Sequence, residues 1–252
     1  MIITDPLFYA VALPAVVFLG LSKGGFSGIG MVATPLLALI LPPLEAAAIL
    51  LPIILIQDAV SVWVYRRVWD PWNLKVMIPG CVLGVGAAWL LAAYVSDGAI
   101  RLVVGLIALG FVGYAFFRHM LPGEPPRPRA THGVFWGALS GFTTTLIQIG
   151  APPYYAFVLP QRLEKMIYVG TTVMFFAAAN AMKVVPYFAL GQFSTAGLAT
   201  SLMLFPLAIA TNYLGIWLVR ITPEKVFYQL TNVLVLLIGL ELTRQGITGL
   251  MR

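Results

Sequence analysis

Six apolar runs, at 44–65, 75–95, 100–117, 166–188, 194–219 and 223–242, constrain this chain more than any motif in it. A helix rises about 1.5 Å per residue, so roughly 20 apolar residues cross the hydrocarbon of a bilayer. Helices suit lipid because they satisfy every backbone N–H and C=O internally. The chain is 60% hydrophobic and only 10% charged over its 252 residues, whereas ordinary soluble domains carry about 25% charged residues. The fold class expected is an all-α polytopic membrane protein, with the lipid bilayer as its surroundings.

Four shorter apolar pieces remain, at 7–21, 28–41, 133–147 and 150–159. Their lengths suggest two pairs of short, broken or re-entrant helices, each pair joined by a polar, small-residue turn. The one clear linker, "RHMLPGEPPRPRATH" at 118–132, holds four prolines and divides the chain near its middle. Residues 1–117 and 133–252 then follow one plan of about five helical segments: short pair, Pro-rich break, three long helices. Laying Pro35 over Pro152 also lays Pro43 over Pro160, Ser27 over Thr144 and Gly24 over Gly141.

An odd number of elements in each half requires the second repeat to be inverted. The charges agree with this. Arg66, Arg67 and Lys75 outweigh Asp70 in one loop, Arg162 and Lys165 outweigh Glu164 in another, and Arg220 and Lys225 outweigh Glu224 in a third, while the counterpart loops lack basic excess. Basic loops stay on the cytoplasmic side. That places the central linker in the cytoplasm and the N-terminus outside, in a bacterial-type cytoplasmic membrane. The net charge of +6 is thus a topology signal, and no nucleic-acid partner is expected. Asp5 stands where a secretory signal would be basic, and no small-residue cleavage site follows the first apolar run, so that run is expected to be retained. An inverted repeat with discontinuous helices is the usual build of a secondary transporter, whose substrate sits at the midplane.

Few ionisable residues fall inside the apolar runs: Lys23, Asp58, Lys183 and Glu241. A charge at that depth is costly and faces a cavity or a partner. Lys23 lies in "GLSKGGFSGIGMVATP" (20–35) with Ser22, Ser27 and Thr34 near it and with Gly24, Gly25, Gly28 and Gly30 loosening the backbone. Glycines let backbone amides approach a bound anion, and a second short helix beginning near Ser27 would point its positive end at the same place. The competing reading is a snorkelling lysine with glycines that serve close helix packing. The matching turn, "SGFTTTLIQIGAPP" (140–153), offers Thr143, Thr144, Thr145 and Gln148 as neutral donors, or as ordinary interhelical hydrogen bonders. Asn180 lies one turn before Lys183, which either joins the same anion site or snorkels past Pro186 and Tyr187. Asp58, beside Gln57 and near Ser61, relays a proton, pairs with a lysine, or pairs with Arg66 or Arg67; Asp58 and Gln57 are the coupling or gating candidates. Glu241 is expected near a helix end.

Enzyme chemistry has little footing. HExxH and Walker motifs are absent, as is CxxC; Cys81 is the single cysteine, and His119 and His132 are too isolated to hold a metal. No cofactor or metal is expected.

Three stretches carry a family likeness: "GLSKGGFSGIGMVATPLLALILPP", then "LPIILIQDAVSVWVYRRVWDPWNLKVMIPGCVLGVGAAW", then "GVFWGALSGFTTTLIQIGAPP". The chain resembles the sulfite exporter TauE/SafE family of membrane transporters over almost its whole length. The second hairpin departs from that family's usual glycine-rich form, with threonines and Gln148 where glycines are common. The resemblance implies a small anionic substrate, sulfite or an organosulfonate, moved by a secondary transporter. Members are assigned to both export and import. Each negative charge leaving a negative interior gains about 2.3 kcal/mol per 100 mV, which favours export. An anion channel of the same architecture and a non-transporting scaffold are the alternatives.

Overall fold

A computed structural model describes residues 3, 5–26, 30, 33–37, 40–41, 43–91, 94, 96–120, 128–189, 191 and 193–251. Among these the chain is helical throughout: α1 Pro6–Gly24, α2 Ala33–Leu37, α3 Pro43–Tyr65, α4 Pro71–Leu91, α5 Asp97–Met120, α6 Ala130–Ile147, α7 Ala151–Val158 with a 3-10 turn at Leu159–Gln161, α8 Lys165–Ala189, α9 Thr195–Ile221 and α10 Glu224–Leu250. Six of these helices are long and apolar enough to cross a membrane: α1, α3, α4, α8, α9 and α10. The chain is a multi-pass membrane protein.

Five of the six coincide with expected spans, and α1 is an addition. The run at 7–21, expected to be short, belongs to a helix of 19 residues, about 28 Å long. Asp5 caps it, accepting from Leu7 N–H at 2.9 Å, and Pro6 opens it; a proline at that position lacks only an N–H that has no helical partner anyway. The run at 100–117 lies within α5, whose apolar stretch among the described residues is the shorter Gly98–Gly110. Asp70 caps α4 by accepting from Asn73 N–H at 2.7 Å, so α4 begins at Pro71 and Lys75 lies inside it. Likewise α10 continues to Leu250, and Glu241 sits well within the helix rather than near its end. There it is half-exposed and pairs with Arg244 at 2.7 Å along its own surface. Of the central linker, residues 121–127 lie outside the described residues.

The helices form two compact units, Met1–Trp69 with Thr172–Pro223, and Asp70–Thr171 with Glu224–Arg252. Each draws on both halves of the sequence. In the first, α1 packs along α9 and both pack on α3. The core there is built from Ala12, Ala15, Val16 and Leu19 of α1, Leu37 of α2, Ile49, Leu50 and Ile53 of α3, and Leu204 and Ala208 of α9. Lipid offers no hydrophobic drive between helices, so such contacts rest on close approach and van der Waals packing. A Cβ on Gly24 would stand 2.5 Å from the Gly215 carbonyl carbon, and one on Gly20 would overlap Thr211. In the second unit α6 packs along α4, and α5 along α10. There a Cβ on Gly141 would stand 2.5 Å from the Cys81 oxygen, and one on Gly137 would overlap the Met77 backbone. Asn73 and Gln161 exchange two amide hydrogen bonds of 2.9 Å, fastening the turn after α7 to the start of α4.

Candidate functional site

The polar residues of the first unit converge on the C-terminal end of α1. The helix carries through Lys23 and stops where Gly25 adopts φ 137°, a conformation open to glycine and strained for any side chain. Gly25 N–H donates back to Ser22 O at 3.1 Å. The carbonyl end of a helix carries partial negative charge and favours a cation in its last turn, where Lys23 stands. Two backbone oxygens exposed at this end are taken up by α3: Ser61 Oγ donates to Lys23 O at 2.8 Å, and Tyr65 OH donates to Gly24 O at 2.9 Å.

Lys23 Nζ meets Asp58 Oδ1 at 2.7 Å. Asn180 Nδ2, from α8, donates to Asp58 Oδ2 at 2.7 Å, so both carboxylate oxygens are engaged. The pair is unequal in access: the Lys23 side chain keeps 16% of its surface and Asp58 only 5%. Behind it, Asn212 of α9 donates to Ser61 Oγ at 3.0 Å and to Gln57 O at 3.1 Å. Gln57 Nε2 donates to Ala208 O at 3.2 Å, while its Oε1 is buried without a hydrogen-bond partner among the described residues. Lys183, one turn beyond Asn180, is fully buried.

The structure thus brings Lys23, Asp58 and Asn180 into direct contact, with Gln57 in the layer behind. Of the readings open for Asp58, pairing with a lysine is the one seen. Arg66 instead stacks over Trp63 at 3.9 Å and donates to its carbonyl, and Arg67 is exposed. Lys183 is enclosed rather than snorkelling. Ser27, and with it the expected start of a second short helix, lies outside the described residues; α2 is described from Ala33. Ser22 is half-buried and lies close to Gly30, where a Cβ would stand 2.8 Å from its Oγ.

The second hairpin belongs to the other unit. Thr143 and Thr145 bond back to their own helix, to Ser140 O at 3.3 Å and Gly141 O at 2.8 Å. Thr144 is buried, and Gln148 ends α6 in the left-handed region at φ 58°. Ser140 Oγ donates to Gly150 O at 2.7 Å and closes the turn.

Sequence reasoning passed over Asn212 and Tyr65. An asparagine within the apolar run "AIATNYLG" was the available signal for the first; Tyr65 looks like an interfacial aromatic until its hydroxyl is seen on Gly24. No group of three or more His, Cys, Asp or Glu gathers to hold a metal among the described residues.

What this arrangement can do chemically is limited and specific. It holds an ammonium at a helix end, compensated by one carboxylate, with amide and hydroxyl groups fixing both. A family model described as sulfite exporter TauE/SafE matches residues 12–242. No curated protein matches the chain, and no solved structure does.

Proposed function

The chain belongs to the sulfite exporter TauE/SafE family of membrane transporters, and from that premise we propose that it moves a small sulfur-containing oxyanion, sulfite or an organosulfonate, outward across the cytoplasmic membrane by alternating access. The observation that carries this reading is Lys23: an ammonium in the last turn of a membrane-length helix, partly accessible, and paired with a buried carboxylate. Ser22, Gly24 and Gly25 are the candidate binding residues beside it, with Asn180 and Lys183 of α8; Ser27, the remaining candidate, lies outside the described residues. Within the other unit, Thr144, Thr145 and Gln148 remain the neutral candidates of the second hairpin. Asp58 and Gln57 act in coupling or gating.

The same reading takes the two halves as inverted repeats, with the N-terminus outside and the central linker cytoplasmic. Packing within each unit supports a repeated plan. Gly20 and Gly24 of α1 face Thr211 and Gly215 of α9, and Gly137 and Gly141 of α6 face Met77 and Cys81 of α4. Both crossings advance by four residues on each helix, and laying Gly24 over Gly141 also lays Gly20 over Gly137.

Flux in proteoliposomes tests the function. Sulfite or a simple sulfonate should move saturably and show counterflow, and Lys23→Ala should remove the saturable component. Saturable flux unchanged in Lys23→Ala would refute the role of Lys23. Non-saturating flux without counterflow would identify a channel, and no flux at all a scaffold.

A further inference from the structure

We infer that Asp58 is a charge switch: an anion gains Lys23 only as Asp58 takes up a proton, so that anion and proton bind together. This rests on the anion-transport reading above and adds to it the obligatory partner ion. In the structure Lys23 is already committed to Asp58 Oδ1 at 2.7 Å. An incoming anion that takes Lys23 would leave an ionised Asp58 buried with Asn180 alone and would set a second negative charge beside it, where like charges repel strongly. A protonated Asp58 with no anion would leave the ammonium uncompensated, which is equally unfavourable. Two arrangements avoid both costs. One is the observed ion pair. The other has the anion on Lys23 and a proton on Asp58.

The geometry gives that proton a place. Asn180 holds Oδ2 at 2.7 Å and can go on doing so, because the carbonyl oxygen of a neutral carboxyl still accepts. Oδ1 is the oxygen that Lys23 vacates, and the proton bonds there; Lys23 stays protonated throughout, so one positive and one negative charge enter together. The order of access also fits, since Lys23 is the more exposed partner and Asp58 lies behind it.

No other acid in the surrounding helices competes for the role. Helices α1, α2, α8 and α9 contain no Asp or Glu, and the other carboxylate of α3, Glu45, is 13 residues along the helix, about 20 Å away. The titratable groups that the packed helices bring to Asp58 are Lys23 from α1 and, on α8, Lys183 one turn from Asn180. From α9 come the neutral Thr211 and Asn212, with Tyr213 half-exposed and Arg220 two turns further on; α2 brings none. On α3 itself Tyr65 is two turns away, its hydroxyl spent on Gly24 O. For a monoanion the coupled step moves no net charge, so the anion and proton gradients rather than the membrane potential set its direction.

Calorimetric titration of the full-length protein in detergent tests the switch. The probes are sulfite and methanesulfonate, the latter with no proton of its own to lose near neutrality. Repeating the titration in buffers of different ionisation enthalpy counts the protons bound. The expected result is uptake of about one proton per anion, and a Kd that rises about tenfold per pH unit on the alkaline side. Asp58→Asn should bind with no proton uptake and no pH dependence. Binding by the native protein without proton uptake overturns the switch, whether or not the variant folds. Proton uptake with methanesulfonate that persists in Asp58→Asn overturns it as well. If neither probe binds the native protein or moves saturably in proteoliposomes, it is the anion-transport reading that fails.

Discussion

Replacing Lys23 by methionine keeps the apolar stem and removes the charge, leaving Asp58 with Asn180 alone. At 2.7 Å and an effective dielectric constant of ~20, the gross attraction lost is about 6 kcal/mol. Desolvating the two ions offsets much of that in the native protein, so the pair itself is close to break-even against an apolar replacement. Truncating one partner is different, because the 5% exposed carboxylate stays buried without compensation, at a cost of about 3–5 kcal/mol. The reverse change, Asp58→Asn, should cost less, since Lys23 retains some access to water and the introduced side-chain amide still accepts from Asn180 through its oxygen. The double variant Lys23→Met/Asp58→Asn contains no stranded charge and should be more stable than Lys23→Met alone. Equilibrium unfolding in sodium dodecyl sulfate, followed by far-ultraviolet circular dichroism, measures all three against the native protein. Strict additivity of the two single changes would show that the ion pair does not couple these residues, and the reasoning would fail.

Three further outcomes are expected from the same measurement. Gly24→Ala should destabilise by about 1–3 kcal/mol by overpacking, because its Cβ would meet the backbone of Gly215 and Ile216 at 2.5 Å; Gly86→Ala, with nothing within 4 Å, should be neutral or gain about 0.5–1 kcal/mol. Equal effects at the two glycines would remove the case for a tight α1–α9 crossing. Tyr65→Phe should cost about 1–3 kcal/mol by stranding Gly24 O, and a silent substitution would mean that water replaces the hydroxyl. Gln57→Met loses one hydrogen bond but also removes an unpartnered buried oxygen, so its net effect should stay within about 1 kcal/mol; a loss above about 2 kcal/mol would reveal a partner for Oε1.

Hydropathy alone located most of the helices, because length and apolarity are what lipid selects. It misjudged α1 because Lys23 looks like the end of an apolar run. The helix continues through that lysine since Asp58 compensates the charge from α3. It misplaced the end of α10 because Glu241, Arg244 and Gln245 satisfy one another along a single exposed helix face. The pairing of Asp58 with a lysine was one option visible in the sequence; the choice of Lys23 over Arg66 or Arg67 required knowing that α1 and α3 pack together. Asn212 stayed hidden for the same reason. Its partners, Ser61 and Gln57, lie some 150 positions earlier, and periodicity does not say which helices meet.

The packing of α1 on α9 also fixes an order of events during synthesis. The bond between Lys23 and Asp58 joins residues 35 positions apart, so it can close as soon as α3 has followed α1 into the bilayer. The glycine face at Gly20 and Gly24 must wait for Thr211 and Gly215, by which time most of the chain has been made. Until then that face of α1 lies against lipid or a chaperone. A ribosome stalled before α9 would therefore leave a nascent chain with its charges already matched and its tightest helix crossing still open.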